Sequence, residues 1–185
     1  MHDIEPFYRW RDYYVSSEDE NSPYYGKIYS EFEFSTKIYN YYIHPQWDDI
    51  GSDTLYLKVI YANYTDGYAI IELLGEWNDC LQNDVMLMKQ ALIDRMQEYD
   101  ISKFILICEN VLNFHASDDC YYEEWYEDIE ESSGWICFLG LSDHVEMEMK
   151  EVGIQHFVHF GAEFNINWRT KRPEHVFLEL NELIA

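Results

Sequence analysis

Phe104-Ile105-Leu106-Ile107-Cys108 is apolar at every position. A run of this length with no polar alternation reads as a strand buried on both faces, the situation of a parallel sheet with cover on each side. Trp135-Ile136-Cys137-Phe138-Leu139 repeats the pattern. Upstream, Leu55, Leu57, Val59 and Tyr61 alternate with Tyr56, Lys58 and Ile60, and Tyr68 to Leu74 forms a second β-rich run. Asp66-Gly67 lies between the two, and Asp-Gly accepts the positive φ angles of a tight turn, so residues 55–74 are expected to form a hairpin.

Helical stripes fill the intervals. Leu81, Val85, Met88, Leu92, Met96 and Tyr99 recur at spacings of three and four after a break at Gly75 to Asp79. A second helix is expected from about Asp119, with Tyr122, Trp125, Tyr126 and Ile129 inward and Asp118 and Asp119 beside its positive end. Asp143 with Glu146 makes a capping box for a third, ended by Gly153. A last strand is expected near Ile154 to Phe160, and a fourth helix begins at Pro173 and carries Val176, Phe177, Leu180 and Leu183 inward. The predicted fold is α/β, a mainly parallel sheet with a hairpin at its start and about four helices, since alternating strands and helices require right-handed crossovers.

Residues 1–50 differ in character. They hold nine of the 17 tyrosines, with Phe7, Trp10, Phe32, Phe34 and Trp47, interleaved with acids and the polar stretch Ser16 to Pro23. Aromatics at this density bury large areas when they find a surface, so an aromatic, acidic extension packed on a core of residues 51–185 is expected.

The 185 residues include 36 acids and 12 bases, a formal charge of −24. Phosphate contacts depend on Lys and Arg displacing counterions, so nucleic acid and anionic membrane surfaces are excluded as direct partners. With 48% apolar and 18% aromatic residues the chain has ample material for a core. Met1 to Glu5 carry no basic region leading into an apolar stretch, and Cys80, Cys108, Cys120 and Cys137 are scattered without a CxxC pair. A cytoplasmic protein with reduced thiols is expected.

Three stretches, Ile70 to Trp77, Phe104 to Phe114 and Gly140 to Gly153, resemble corresponding segments of STAS domains, the family of bacterial anti-sigma-factor antagonists and sulfate-transporter tails, and especially its divergent SpoIIAA-like members. The resemblance covers about residues 55–185 and implies a STAS-like fold and a regulatory contact with another protein. The family's regulatory serine lies at the start of the second helix. His115-Ala116-Ser117-Asp118-Asp119 is the matching segment, which makes Ser117 the candidate for phosphorylation. Asp118, Asp119, Glu123 and Glu124 would repel a phosphate there, and Ser117 also reads simply as a helix cap.

No catalytic constellation is evident. GxxxxGK[ST], GxGxxG and GxSxG are absent, and the cluster of His115, Cys120 and neighbouring carboxylates matches no metal-ligand spacing. No cofactor and no metal are expected. Arg169, Lys171 and Arg172 form the one basic cluster, following Trp168. They either pair with the acidic surface or clamp an acidic partner segment with Trp168 as an anchor.

The expectation is therefore a non-enzymatic, protein-interacting module. Its surface would comprise Asn113, His115, Ser117, Asp118, Asp119 and Glu123, with Trp168 and Arg169, and a protein of unspecified identity as partner. Weak homo-oligomerisation through exposed aromatics is a further possibility. The alternative is a ligand-binding protein or enzyme whose aromatic and carboxylate pocket, between residues 1–50 and the sheet, takes a cationic or carbohydrate-like ligand.

Overall fold

The computed structural model describes residues 4–185. Of the stretch Met1 to Glu5, from which no leader is expected, Met1 to Asp3 lie outside the described residues. Five strands, β3 (Asp48–Asp49), β4 (Leu55–Asn63), β5 (Tyr68–Asn78), β6 (Lys103–His115) and β7 (Trp135–Leu139), form one sheet in that order. A separate small ribbon pairs β1 (Lys37–Ile38) with β2 (Tyr41–Tyr42). The β3–β4 and β4–β5 pairs are antiparallel and the β5–β6 and β6–β7 pairs parallel. The sheet is thus mixed rather than mainly parallel, because the hairpin and the short edge strand β3 together contribute as many ladders as the crossovers do.

The hairpin turn is built locally. Asn63 Oδ1 accepts from the N–H groups of Thr65 and Asp66, and Gly67 takes φ +68°, so the side chain closes a turn that Gly completes. β6 then runs through the middle of the sheet. Phe104, Leu106 and Cys108 enter the larger core on one side, and Ile105 and Ile107 enter a second core on the other.

The first side is covered by helices. α1 (Asp84–Met88) continues through a π-helical turn, Lys89–Ile93, into α2 (Asp94–Gln97), and α3 (Cys120–Glu130) and α4 (Asp143–Glu151) lie alongside. Val85, Met88, Leu92 and Met96 are buried as the spacing predicts. Leu81 precedes the helix and is 83% exposed, and Tyr99 follows it and is also exposed. Lys89 is buried, with its Nζ at 2.8 Å from Asp94, 3.2 Å from Glu124 and 2.6 Å from Asp128. Burial alone would lower its pKa, but hydrogen bonds to Asp128, Asp94 and Glu124 outweigh this and raise it, tying α1 and α2 to α3.

The second side is covered by α5 (Pro173–Ile184) and by the amino-terminal arm. Phe177 stacks on Tyr68 at 4.1 Å between ring centroids, while Phe7, Trp10 and Trp168 form an edge-to-face trio. Trp10 Nε1 donates to the Lys171 carbonyl, and Trp47 Nε1 to that of Ile4. Ile38, Ile43 and Trp47 form a third apolar cluster with Tyr56 and Leu74 of the sheet. No helix among the described residues is long and apolar enough to cross a membrane.

Two sequence-based expectations are overturned. Ile154 to Phe160 is not a strand: Ile154–His156 is a 3-10 turn, and a single parallel bridge joins Cys137 to His159. Gln155 and His156 are exposed while Ile154 is buried, so two-residue alternation appears only over Val158 to Phe160. Nor does Gly75 break its strand, which runs on to Asn78.

At Gly75 the backbone has φ +121°, and a β-carbon would lie 1.9 Å from the Thr54 carbonyl oxygen and 3.0 Å from Ile38 Cδ1. Gly75 thereby lets β5 pair with β4 to the end of their ladder at Leu55, where Glu76 N–H donates to the Thr54 carbonyl at 2.9 Å. Gly75→Ala is expected to lower unfolding free energy by about 2–4 kcal/mol, the range for backbone strain plus displaced packing. Urea denaturation checks this, and a loss below about 1 kcal/mol would contradict the close approach.

Candidate functional site

The sequence-derived surface lies at the carboxyl end of β6, and the structure redraws its limits. Asn113 and His115 belong to the strand rather than to the following loop. Asn113 pairs with Glu76 in register, and its Nδ2 donates to Glu76 Oε1 at 3.2 Å. The His115 carbonyl accepts from the N–H groups of Asp79 and Cys80, which fixes the strand end. The exposed loop is short, Ala116 to Asp119, and Ala116 N–H is held by Glu148 Oε1 of α4 at 3.3 Å.

Ser117 is exposed and does not cap α3. Asp118 Oδ1 instead accepts from Cys120 N–H, and Asp119 is the residue before the helix, its carbonyl accepting from Tyr122 and Glu123. Register explains the correction: the helix starts at Cys120 and its cap position is Asp119, which puts Ser117 two residues too early for the usual cap contact. Glu123 is exposed on the first turn, and Tyr122 points inward. The Cys120 thiol has its pKa raised by its hydrogen bond to Asp118 and by the charges of Asp118, Asp119 and Glu123, so it is a poor nucleophile.

Two buried acids support this end of the sheet. Asp79 accepts from Trp77 Nε1, Val85 N–H and the Tyr122 hydroxyl, at 2.9, 2.8 and 2.6 Å. Burial pushes its pKa up to about 6 against the pull of those three donors. Asp84 accepts from Asn78 N–H at 2.7 Å. Both carboxylates join β5 to the helices, Asp84 through Oδ2 alone, its Oδ1 having no hydrogen-bond partner among the described residues.

Trp168 and Arg169 lie on the other side of the sheet. Trp168 is 2% exposed, which removes it as a surface anchor; its Nε1 donates to Glu109 Oε1 at 2.8 Å. Arg169 grips Glu109 Oε2 through Nε at 3.1 Å and Nη2 at 2.7 Å. The basic cluster thus pairs with the protein's own acids here, and Lys171 likewise pairs with Glu179.

A buried charged belt crosses the outer sheet face under the arm, a feature that sequence patterning missed. Lys58 and Glu72 are direct cross-strand partners in β4 and β5, yet they bond elsewhere. Lys58 Nζ donates to Asp48 Oδ2 at 3.2 Å, and Asp48 Oδ1 accepts from Lys27 Nζ and the Tyr29 hydroxyl, each at 2.6 Å. Glu72 accepts from Phe7 N–H at 2.7 Å and lies 3.9 Å from Arg169. Burial lowers the Lys58 pKa to about 8 despite Asp48, and raises that of Glu72 to about 7 despite Phe7 N–H and Arg169. The available signal was one charge inside each of two apolar runs, Lys58 within Leu55 to Ala62 and Glu72 within Tyr68 to Leu74.

Between the arm and β4 lies a cavity of about 170 Å³, lined among others by Arg11, Ser16, Ser17, Tyr29 and Lys58. No carboxylate lines it, so the cation-attracting pocket expected between arm and sheet is replaced by one of opposite sign. Elsewhere the interface is filled by Trp10, Trp47, Ile38 and Ile43. Among the described residues no group of three or more His, Cys, Asp or Glu side chains could hold a metal ion.

No protein-family model and no curated protein matches the chain. Among solved structures it is similar to the phosphorylated form of the Bacillus cell fate determinant SpoIIAA, at 11% identity and TM-score 0.44, over 67% of this chain and 98% of that one. It is also similar to a putative anti-sigma factor antagonist from Thermotoga maritima, at 13% identity and TM-score 0.44, over 68% and 92%. The unphosphorylated anti-sigma factor antagonist SpoIIAA gives 13% identity and TM-score 0.45, over 68% and 97%. These are proteins of the kind that the sequence resembles. At such identities and scores the likeness says nothing of partner or chemistry.

The belt has a consequence for stability. Glu72 titrates near 7 when folded and near its ordinary 4.5 when unfolded, so between these values the folded state holds a proton that the unfolded chain has released. Stability therefore falls as pH rises through this window, with Asp79 adding the same sign over its lower part. Glu72→Gln keeps an acceptor for Phe7 N–H and removes the charge. It is expected to match wild type near pH 4 and to be more stable by on the order of 1–3 kcal/mol at pH 8. Denaturation at both pH values checks this, and a difference independent of pH would contradict it.

Proposed function

We propose that the chain is a non-enzymatic regulatory module, STAS-like in its hairpin and crossover core, that binds another protein through the loop Ala116 to Asp119 and the exposed face of α3. The observation that carries this is the loop itself: four residues held at one end by the β6 terminus and at the other by α3, projecting Ser117 and Asp118 into solvent beside Glu123. Crevices outside the carboxyl ends of strands are where α/β sheets place their ligands. The loop carries acids and no basic residue, so its partner is a protein presenting Lys or Arg.

Exposed Leu81, Leu112 and Met147, on segments adjoining the loop and α4, add apolar area of the kind that interface cores use. The partner need not depend on phosphorylation. Ser117 is accessible, but a phosphate adds about −1.5 to −2 charges beside Asp118 and Asp119, and no Lys or Arg is present in the loop to receive it. A cytoplasmic location belongs to the same proposal, supported by four scattered free thiols.

Charge reversal provides the test. Asp118→Lys with Glu123→Lys alters exposed side chains, so stability should change by less than about 0.5 kcal/mol. Capture of the specific partner from a lysate should fall by about tenfold or more, and wild-type capture should weaken as ionic strength rises. Undiminished capture by a folded double variant would count against this surface.

Self-association is a separate proposal that rests on the exposed aromatics around the small ribbon, Phe32, Tyr39, Tyr41 and Tyr42. Because a charge of −24 opposes it, dimerisation should strengthen with salt. Sedimentation at low and high ionic strength checks this, and a monomer under both conditions would refute it.

A further inference from the structure

The cavity beneath the arm has a composition at odds with the rest of the protein. Its floor is Lys58, Val59 and Ile60 of β4, and its roof and walls include Phe7, Arg11, Ser16, Ser17 and Tyr29. In a chain with three acids for each base, this lining has two bases and no acid. At about 170 Å³ it falls below the roughly 300–1,000 Å³ of sites for drug-sized molecules, and suits a group of a few heavy atoms.

The polar groups of the lining are under-used. Asp48, fully buried, faces both Lys27 and Lys58, so one carboxylate answers two ammonium groups and a positive charge is left over. Lys58 is 9% exposed and spends one of its three N–H donors on Asp48, with the Tyr29 ring 3.6 Å from its Nζ. Ser16 is 1% exposed, and its hydroxyl has no hydrogen-bond partner among the described residues. A buried hydroxyl without a partner is costly, and here it lines a cationic cavity. The neighbouring Tyr29 hydroxyl spends its proton on Asp48, so it can offer Ser16 only a weak acceptor and leaves the Ser16 oxygen without a donor.

We infer that this cavity binds a small oxyanion, a phosphate, sulfate or carboxylate group, held by Lys58 and Arg11 with hydroxyls of Ser16 and Ser17 donating to it. The inference is independent of the proposed protein-docking loop, which lies at the end of β6. Three features oppose it and are outweighed. Glu5 contacts Arg11 at 3.3 Å, but the pair is exposed and so weak. Glu72 is the cross-strand partner of Lys58 but lies outside the lining, and its charge is partly suppressed by burial. Asp19 lies beside the lining residue Tyr14, but its carboxylate is taken up by the hydroxyls of Tyr14 and Tyr64 and by Asn21 N–H.

An anion held this way joins the arm, through Arg11, Ser16 and Ser17, to β4 through Lys58. The docking of the arm on the sheet then becomes linked to ligand concentration, because a ligand that binds only the folded form stabilises it.

Calorimetric titration of the full chain with inorganic phosphate, sulfate, acetate and tetramethylammonium, each at ionic strength held constant with sodium chloride, tests the site. At least one oxyanion should bind, and the three arms separate a tetrahedral ligand from a carboxylate. Arg11→Gln, at an exposed position where folding is not at stake, and Lys58→Gln, which leaves Asp48 with Lys27 and Tyr29, should each weaken binding by about tenfold or more, the loss of a charge-assisted hydrogen bond. Absence of heat with all three oxyanions, binding of tetramethylammonium instead, or unchanged affinity in Arg11→Gln would each overturn the inference.

Discussion

A strand that is apolar on both faces obliges the molecule to cover both sides of its sheet. β6 sends Phe104, Leu106 and Cys108 one way and Ile105 and Ile107 the other, and neither set can be left in water at about 25 cal/mol per Å². α1 to α4 meet the first demand. α5 alone does not span the second face, and the arm completes it, with Trp10 against Trp168 and with Trp47, Ile38 and Ile43 over Tyr56 and Leu74. Trp10 and Trp47 of the amino-terminal segment thus answer the same constraint that makes β6 apolar at Phe104 to Cys108, whereas Tyr8, Tyr13, Tyr25, Phe32, Tyr39, Tyr41 and Tyr42 remain exposed.

The two covers differ in character. The helical side is closed around Trp77, Trp125 and Met88, and its buried acids Asp79 and Asp84 serve to fasten strand to helix. Under the arm, the belt of Asp48, Lys58, Glu72, Glu109 and Arg169 divides apolar clusters. Buried ion pairs of this kind are weak sources of stability, because desolvation offsets their attraction. They do make the seating of the arm dependent on protonation and charge, as the main-chain bond from Phe7 to Glu72 shows. An arm held partly by titratable groups is more responsive to solution conditions than one held by aromatic packing alone.

The net charge of −24 is distributed unevenly around this frame. Acids crowd the loop after β6 and the exposed side of α3, while Lys89 gathers Asp94, Glu124 and Asp128 into one bonded group. Arg169 and Lys171 are consumed by Glu109 and Glu179. The protein thus presents an acidic loop outward and keeps several of its bases for internal contacts, which favours a basic protein partner at the loop and an anion at the cavity.

The sequence by itself determined the element order. Runs such as Phe104 to Cys108, the stripe from Val85 to Met96 and the Asp66-Gly67 turn are local patterns whose burial follows from their own periodicity. It also placed the start of α3 within a residue, from the helical stripe Tyr122, Trp125, Tyr126 and Ile129 behind Asp118 and Asp119. Tertiary structure decided what periodicity does not encode. Gly75 stays in its strand because Thr54 approaches it from the neighbouring strand, and His156 leaves the sheet because Ile154 is buried in a turn instead. The cap position of α3 falls on Asp119 rather than Ser117, and Asp118 closes the turn before it. Most of all, Asp48, Lys58, Glu72, Glu109 and Arg169 come from separate segments of the chain. They become one belt only when strand pairing sets them side by side and the arm buries Asp48, Lys58 and Glu72, leaving Glu109 and Arg169 at its exposed end, which is a property of register and burial that no local pattern carries.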